Sequence, residues 1–124
     1  MWIYANPNPD MKDVPDCVIR AISIALNKPW EETFDELSEV ARQDHSVTSD
    51  DRVWGHFLFR LGFIPFLLPA SCPECVTIRA FAGIFNRGIY IIGTGYHAVA
   101  VIDGNYYDTW DSGSEVPTFF WKIA

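Results

Sequence analysis

The spacing of hydrophobic residues divides the chain into a helical N-terminal part and a strand-rich C-terminal part. Apolar residues recur at helical spacing after Asp16, after Pro29 and near Asp50, and each of these residues is typical of a helix start. A short fourth helix is predicted over 77–82. Strands are predicted over four segments rich in β-branched and aromatic residues: 88–94, 97–102, 105–111 and 117–123. Helices followed by strands indicate an α+β fold, with N-terminal helices packed on a C-terminal antiparallel sheet of about four strands.

The segment between the third and fourth predicted helices is apolar but contains two prolines. Residues 63–69 include Pro65 and Pro69, which interrupt a strand pattern, so this segment is predicted to be a connection. Cys72 and Cys75 follow it in a Cys-x-x-Cys spacing. Such a pair is found in zinc sites and in thioredoxin-type redox sites, but a zinc site needs four ligands and a redox site needs a preceding strand. We therefore expect two thiols in a loop, with redox or metal chemistry as the less favoured alternative.

Cys17 lies where the first helix is predicted to begin. Pro15 and Asp16 precede it and supply a helix boundary and an expected N-cap carboxylate. At this position the unpaired N–H groups and the helix dipole favour a thiolate, the reactive form of cysteine. The alternative is a small buried side chain, which is the more common role of a single cysteine. The backbone N–H of Cys17 is also a candidate donor to an oxyanion.

A predicted hairpin brings a histidine and an acid together near the C-terminus. The strand that begins at His97 runs into Asp103-Gly104, a strong turn signal, and the returning strand reaches Asp111. Asp108 and Asp111 both lie on the returning strand, and being three residues apart they face opposite sides of the sheet, so only one of them can reach His97. Counting outward from the turn places His97 and Asp111 at nearly facing positions, which favours Asp111. An acid that orients a histidine is the third member that a thiol and base pair requires, so Cys17, His97 and Asp111 are predicted to form a catalytic triad.

These residues carry a family resemblance. The segment from His97 to Val101, the turn, Asn105-Tyr106 and Asp111-Ser112 resemble the His…Asn-Ser hairpin of papain-like cysteine peptidases, with Asp in place of the triad Asn. The Asp variant is similar to bacteriocin-leader peptidases, arylamine N-acetyltransferases and transglutaminases. The hairpin, together with the segment from Asp16 to Ala21, also resembles small uncharacterised papain-like proteins of bacteria and their phages. The resemblance covers the two ends of the chain well and the middle poorly.

One feature of the papain-like pattern is missing. Those enzymes carry a Gln shortly before the cysteine, and its side-chain amide completes the oxyanion hole, whereas residues 9–13 contain none. The nearest side-chain amides are those of Asn6 and Asn8, in a proline-stiffened extended segment. Asn6 is therefore the candidate side-chain donor of the oxyanion hole, next to the backbone of Cys17. Asn-Pro pairs are also ordinary turn formers, which is the alternative interpretation.

Composition is consistent with a single papain-like domain over residues 1–124. The chain is 49% hydrophobic, enough for one core. Its net charge of −7 argues against a nucleic-acid partner. The sequence shows no signal-peptide pattern and no apolar run of membrane-spanning length, so we expect a cytoplasmic protein with no membrane partner. Three cysteines leave at least one unpaired, which suits a reducing compartment.

The function expected from these features is that of a thiol-dependent hydrolase, a cysteine peptidase that acts on a protein or peptide substrate. Neither a cofactor nor a metal is predicted. An acyltransferase or transamidase with the same triad is an alternative within enzymes. A papain-fold module that only binds protein is the alternative of another class, although the presence of both His97 and an acid argues against it.

Overall fold

A computed structural model describes residues 1–124 and has an α+β fold. Four helices are present: α1 (Cys17–Leu26), α2 (Trp30–Gln43), α3 (Asp51–Arg60) and α4 (Ile78–Ile84). Six strands are present: β1 (Trp2–Tyr4), β2 (Ile64–Leu67), β3 (Ile89–Gly93), β4 (Ala98–Ile102), β5 (Asn105–Asp108) and β6 (Phe119–Lys122). The predicted α+β class is confirmed, and the four helices and the four predicted strands lie close to their expected positions.

The sheet is larger than predicted and is mixed, not antiparallel. Its strand order is β1-β5-β4-β3-β6-β2, with β1 parallel to β5 and every other pair antiparallel. The expected strand count was too low because β1 has only three residues and because β2 contains Pro65. Pro65 is tolerated because β2 lies at the edge of the sheet, where a missing N–H breaks no ladder between two neighbouring strands.

The sheet separates two hydrophobic clusters. Residues of α1, α2 and α3 pack with Ile91, Ala98, Ala100 and Trp121 of the sheet. Residues of α4 form the second cluster with alternate residues of the same strands, including Val99 and Val101. This alternation is the period-two pattern of a strand that is buried on both faces. No helix has the length and apolar character that a membrane crossing requires.

The β4–β5 hairpin has the predicted two-residue turn. Ile102 pairs with Asn105 across it, and the two turn residues have positive φ values, 49° for Asp103 and 85° for Gly104. Positive φ at both central residues is the requirement of a type I′ turn, which matches the twist of the flanking strands. The tight turn fixes the register of β5 on β4, and β5 ends at Asp108.

Candidate active site

Cys17 is the first residue of α1 and lies beside the end of the sheet where β4 begins and β5 ends. Its side chain is only partly exposed, and it is the free cysteine of the chain. The backbone N–H of Cys17 donates no hydrogen bond within the protein. Asp16 occupies the N-cap position, but its side chain does not cap the helix as expected. The first-turn N–H groups therefore remain available next to the thiol.

His97 contacts both Cys17 and an aspartate, and the aspartate is Asp108. The Nε2 atom of His97 lies 2.6 Å from Oδ2 of Asp108. Cys17 raises the pKa of this ring, and the thiol and the ring line the same cleft. Because Nε2 is hydrogen-bonded to Asp108, Nδ1 is the ring nitrogen left for the thiol. His97 thus interacts with both the thiol and the Asp108 carboxylate.

The predicted role of Asp111 in orienting His97 is wrong in this structure. The hydroxyl of Tyr106 donates to Oδ1 of Asp111 over 2.6 Å, the Gly113 N–H donates to the same oxygen over 3.0 Å, and Arg79 lies 3.5 Å away. The length of the hairpin explains the error. The β4–β5 pairing ends at Ala100 with Tyr107, so neither His97 nor Asp111 lies in the ladder, and their positions cannot be counted outward from the turn.

Asp108 is held by four hydrogen bonds from the protein. Its Oδ2 accepts from His97 and from the Ser112 hydroxyl at 2.7 Å, and its Oδ1 accepts from Arg20 at 3.3 Å and from the Thr109 N–H at 2.8 Å. Its side chain is 2% exposed. A carboxylate with both oxygens saturated has one fixed orientation, so Oδ2 is held toward His97.

Strand β1 also fixes the backbone of Asp108. Tyr4 pairs with Asp108, the Ala5 N–H donates to its carbonyl over 3.0 Å, and the Trp2 indole donates to the same oxygen over 3.2 Å. A strand that the sequence did not reveal therefore supports the acid of the site.

Arg20 joins the helix of the nucleophile to this acid. Its guanidinium forms a buried ion pair with Asp16 and a second with Asp108, and it also donates to the Val14 carbonyl at 3.4 Å. Asp16 accepts a further hydrogen bond of 2.9 Å from the indole of Trp30. This explains why Asp16 does not cap α1: its carboxylate is turned toward Arg20 and Trp30.

The electrostatics of the site favour an ion pair between Cys17 and His97. Burial opposes ionisation of Cys17, but hydrogen bonds with His97 and the Ala98 backbone, and the charges of His97 and Arg20, bring the pKa of the thiol below its ordinary value. Burial likewise opposes protonation of His97, but Asp108 and Cys17 outweigh it and raise the pKa of the imidazole to about 9. The pKa of Asp108 is lowered despite its burial, chiefly by His97 and Ser112. Thiolate, imidazolium and carboxylate thus stabilise one another.

An open cleft of about 400 Å³ leads to the thiol. Its wall includes Cys17, His97, Tyr96 and Trp110. Tyr96 is almost fully exposed, whereas the Trp110 ring packs on His97 with centroids 5.2 Å apart. Trp110 therefore covers one side of the imidazole, and the cleft leaves the thiol accessible to a substrate.

The expected oxyanion contribution of Asn6 is not supported by its position. Its side-chain amide donates to the Lys12 carbonyl at 3.2 Å, and its Oδ1 accepts from the Asn8 N–H at 3.1 Å. Asn6 does not line the cleft. These two asparagines organise the turn before Asp13, which is the alternative role of Asn-Pro pairs. The backbone N–H of Cys17 remains as the candidate donor.

Cys72 and Cys75 form a disulfide and are not the two thiols that we expected. They lie in the loop between β2 and α4, and β2 is the strand that Pro65 seemed to exclude. Cys72 is exposed and Cys75 is half-buried. Neither lines the cleft at Cys17.

Sequence reasoning named Asp108 only as the acid that was not chosen, and it gave Arg20 and Ser112 no role in the site. The choice depended on a returning strand that reaches Asp111, whereas β5 ends at Asp108. Nothing in the local pattern marks Arg20, because an arginine on a helix is normally solvent-exposed.

No family model, curated protein or solved structure matches the chain. The functional proposal below therefore depends on the chemistry and geometry of the residues themselves.

Proposed function

We propose that the protein is a thiol-dependent hydrolase of the papain-like type that cleaves a peptide or isopeptide bond. The observation that supports this most directly is that His97, whose ring is hydrogen-bonded to the buried Asp108 carboxylate, lines the same cleft as the Cys17 thiol. Catalysis by a thiol requires a nucleophile, a base within hydrogen-bond reach and a group that orients the base. All three lie at the mouth of one cleft or directly behind it.

In the first half of the reaction, the Cys17 thiolate attacks the carbonyl carbon of the substrate. The carbonyl π electrons move onto oxygen, and the free N–H of Cys17 is placed to donate to that oxyanion. When the intermediate collapses, the C–N bond breaks and the His97 imidazolium gives its Nδ1 proton to the leaving amine. The products are a free amine and a thioester on Cys17.

In the second half, neutral His97 removes a proton from a water molecule, which attacks the thioester. The C–S bond then breaks, the carboxylic acid leaves and Cys17 departs as a thiolate beside a newly protonated His97. Asp108 stays ionised throughout, because it accepts hydrogen bonds from four groups and lies against a cation in the resting state. Its role is to orient the ring and to stabilise the imidazolium.

An acyltransferase or transamidase would use the same thioester but deliver it to an amine. The open cleft leaves room for either acceptor. The two reactions are separated by measuring how the thioester partitions between water and an added amine.

The experiment that tests the proposal traps the thioester-forming residue. Purified protein is incubated with a panel of peptides that carry an electrophilic vinyl sulfone, and the modified residue is found by mass spectrometry. Modification of Cys17 that requires His97 and Asp108 supports the proposal, with Cys17→Ala, His97→Ala and Asp108→Asn as the variants and Asp111→Asn as the matched control. Cys17 labelling that is equal in wild type and in folded His97→Ala would overturn it. That result would favour the non-catalytic binding module.

A further inference from the structure

We propose that Arg20 is a positioning residue of this site. It connects the helix that carries Cys17 to the strand that carries Asp108 and thereby fixes the position of Cys17 relative to His97. This role rests on the proposed function, since it matters only if the Cys17–His97 pair acts. Arg20 is among the residues that line the cleft, but its guanidinium is engaged by Asp16, Asp108 and the Val14 carbonyl, so it acts on the reaction through Asp108.

Three contacts fix the guanidinium. One nitrogen is paired with Asp16 and donates to the Val14 carbonyl at 3.4 Å, and the other lies 3.3 Å from Oδ1 of Asp108. The side chain is 7% exposed. Because the guanidinium is planar and its donors are fixed in a fork, both carboxylates can be satisfied in only one orientation of the side chain. Arg20 therefore fixes the rotation of Asp108.

The position of Arg20 on α1 makes this fixation relevant to the thiol. Arg20 follows Cys17 by about one helical turn, and residues three apart lie on the same side of a helix. His97 binds one oxygen of Asp108 and Arg20 binds the other. A displacement of α1 along the sheet would therefore break the Arg20–Asp108 contact and the Cys17–His97 contact together.

The charged groups around Cys17 are few and can be named. His97 faces it from the start of β4, and Arg20 faces it from α1. Behind these cations lie Asp108 at the end of β5 and Asp16 before α1. Asp13 lines the same cleft as the thiol. If substitution of Arg20 changes the pH dependence of Cys17 alkylation, the change is thus transmitted through these few charged groups.

The test measures the second-order rate of alkylation of Cys17 by iodoacetamide from pH 5 to 10, with mass spectrometry to assign the site. The variants are Arg20→Lys, Asp16→Asn and His97→Ala. Arg42→Lys is the matched control, because Arg42 is an exposed arginine in an ion pair within α2. Thermal unfolding is followed in parallel. The assay needs no substrate and reports the Cys17–His97 pair directly.

Arg20→Lys keeps the positive charge but removes the fork, so we expect the alkylation rate at pH 6 to fall about tenfold and the acid limb of the profile to move up by about one pH unit. Asp16→Asn should shift the profile in the same direction by a smaller factor, and Arg42→Lys should leave it unchanged. If Arg20→Lys does not fold, Asp16→Asn decides the question.

A purely structural role of Arg20 gives a different result. Arg20→Lys and Asp16→Asn would then lower the unfolding temperature and leave the pH profile of the folded protein at the wild-type position, which overturns the inference. An unchanged profile in His97→Ala would instead contradict the proposed function itself. The two failures are therefore distinguishable.

Discussion

Replacement of Asp108 by asparagine perturbs the site with almost no change in shape. The carboxylate accepts from four donors, two on each oxygen. An asparagine amide has one oxygen, which accepts hydrogen bonds, and one NH₂ group, which donates them. Two of the four protein donors around residue 108 must therefore face the NH₂ group. The Arg20 guanidinium and the Thr109 N–H can only donate. The hydroxyl of Ser112 can rotate and accept.

The new amide is therefore expected to place its NH₂ group toward His97 and Ser112. In that arrangement Nε2 of His97 must accept a hydrogen bond, so the remaining proton of a neutral ring lies on Nδ1, which faces Cys17. Such a ring cannot take the thiol proton. The imidazolium form, in turn, would point Nε2–H at the NH₂ group. Asp108→Asn should consequently disfavour both the base and the ion pair.

The size of the effect follows from the pKa of His97. Its rise from 6.5 to about 9 corresponds to about 3 kcal/mol of preference for the imidazolium, supplied by Asp108 and Cys17 against burial. Burial opposes protonation of His97, and loss of the carboxylate removes one of the two groups that outweigh it, so the pKa of His97 should fall. We expect the alkylation rate of Cys17 at pH 6 to fall about 100-fold, the factor that corresponds to most of this free energy.

The assay is the alkylation of Cys17 by iodoacetamide at pH 6, followed by mass spectrometry, with circular dichroism to establish that each variant is folded. Asp111→Asn is the control, because Asp111 is exposed and bonded to Tyr106 and Gly113. The reasoning is refuted if Asp108→Asn reacts within about threefold of wild type, a change of well under 1 kcal/mol. Loss of reactivity in Asp111→Asn alone would show that the acid assignment is wrong.

Three further outcomes are expected. Without reductant, iodoacetamide should label Cys17 and leave the Cys72–Cys75 disulfide unlabelled; equal labelling of all three cysteines in native protein would contradict an activated thiol. Ser112→Ala removes one of the hydrogen-bond donors to Asp108, so the free energy of unfolding measured in urea should fall by about 1–2 kcal/mol. An unchanged free energy of unfolding would mean that water replaces the hydroxyl. The raised pKa of His97 stabilises the folded protein, and this contribution is fully present below pH 6.5 and is lost as the pH rises through about 9. The unfolding temperature of wild type should therefore fall over this pH window relative to that of His97→Ala. Parallel curves of unfolding temperature against pH would exclude the raised pKa.

The sequence was sufficient to bring Cys17 and His97 to one place. A helix start and a hairpin turn are local signals, and each predicted an element that the structure contains. The short strand β1 and the edge strand β2 could not be predicted in the same way. The three residues of β1 are too few to show a strand periodicity. A proline such as Pro65 is excluded only from a strand that is paired on both sides, whereas β2 is paired on one side.

The choice between Asp108 and Asp111 depended on where the returning strand ends. The interpretation counted outward from Asp103 and Gly104 and placed Asp111 nearly opposite His97. The observed pairing with β4 ends at Tyr107, and β5 itself ends at Asp108. His97 and Asp111 therefore lie outside the ladder, where strand pairing no longer relates one position to another.

Asp16 shows why the remaining interactions cannot be inferred from local signals. An aspartate before a helix is expected to cap it, and a capping carboxylate would have accepted from the first-turn N–H groups and placed a negative charge beside the thiolate. Arg20 and Trp30 hold the Asp16 carboxylate away from those groups. The Asp16 charge is thereby neutralised by Arg20, the N–H of Cys17 donates to no group of the protein, and the charged residue of α1 that acts on the thiol is the cation of Arg20. The helix start is thus suited to a thiolate and an oxyanion only because a tertiary network overrides the local capping preference.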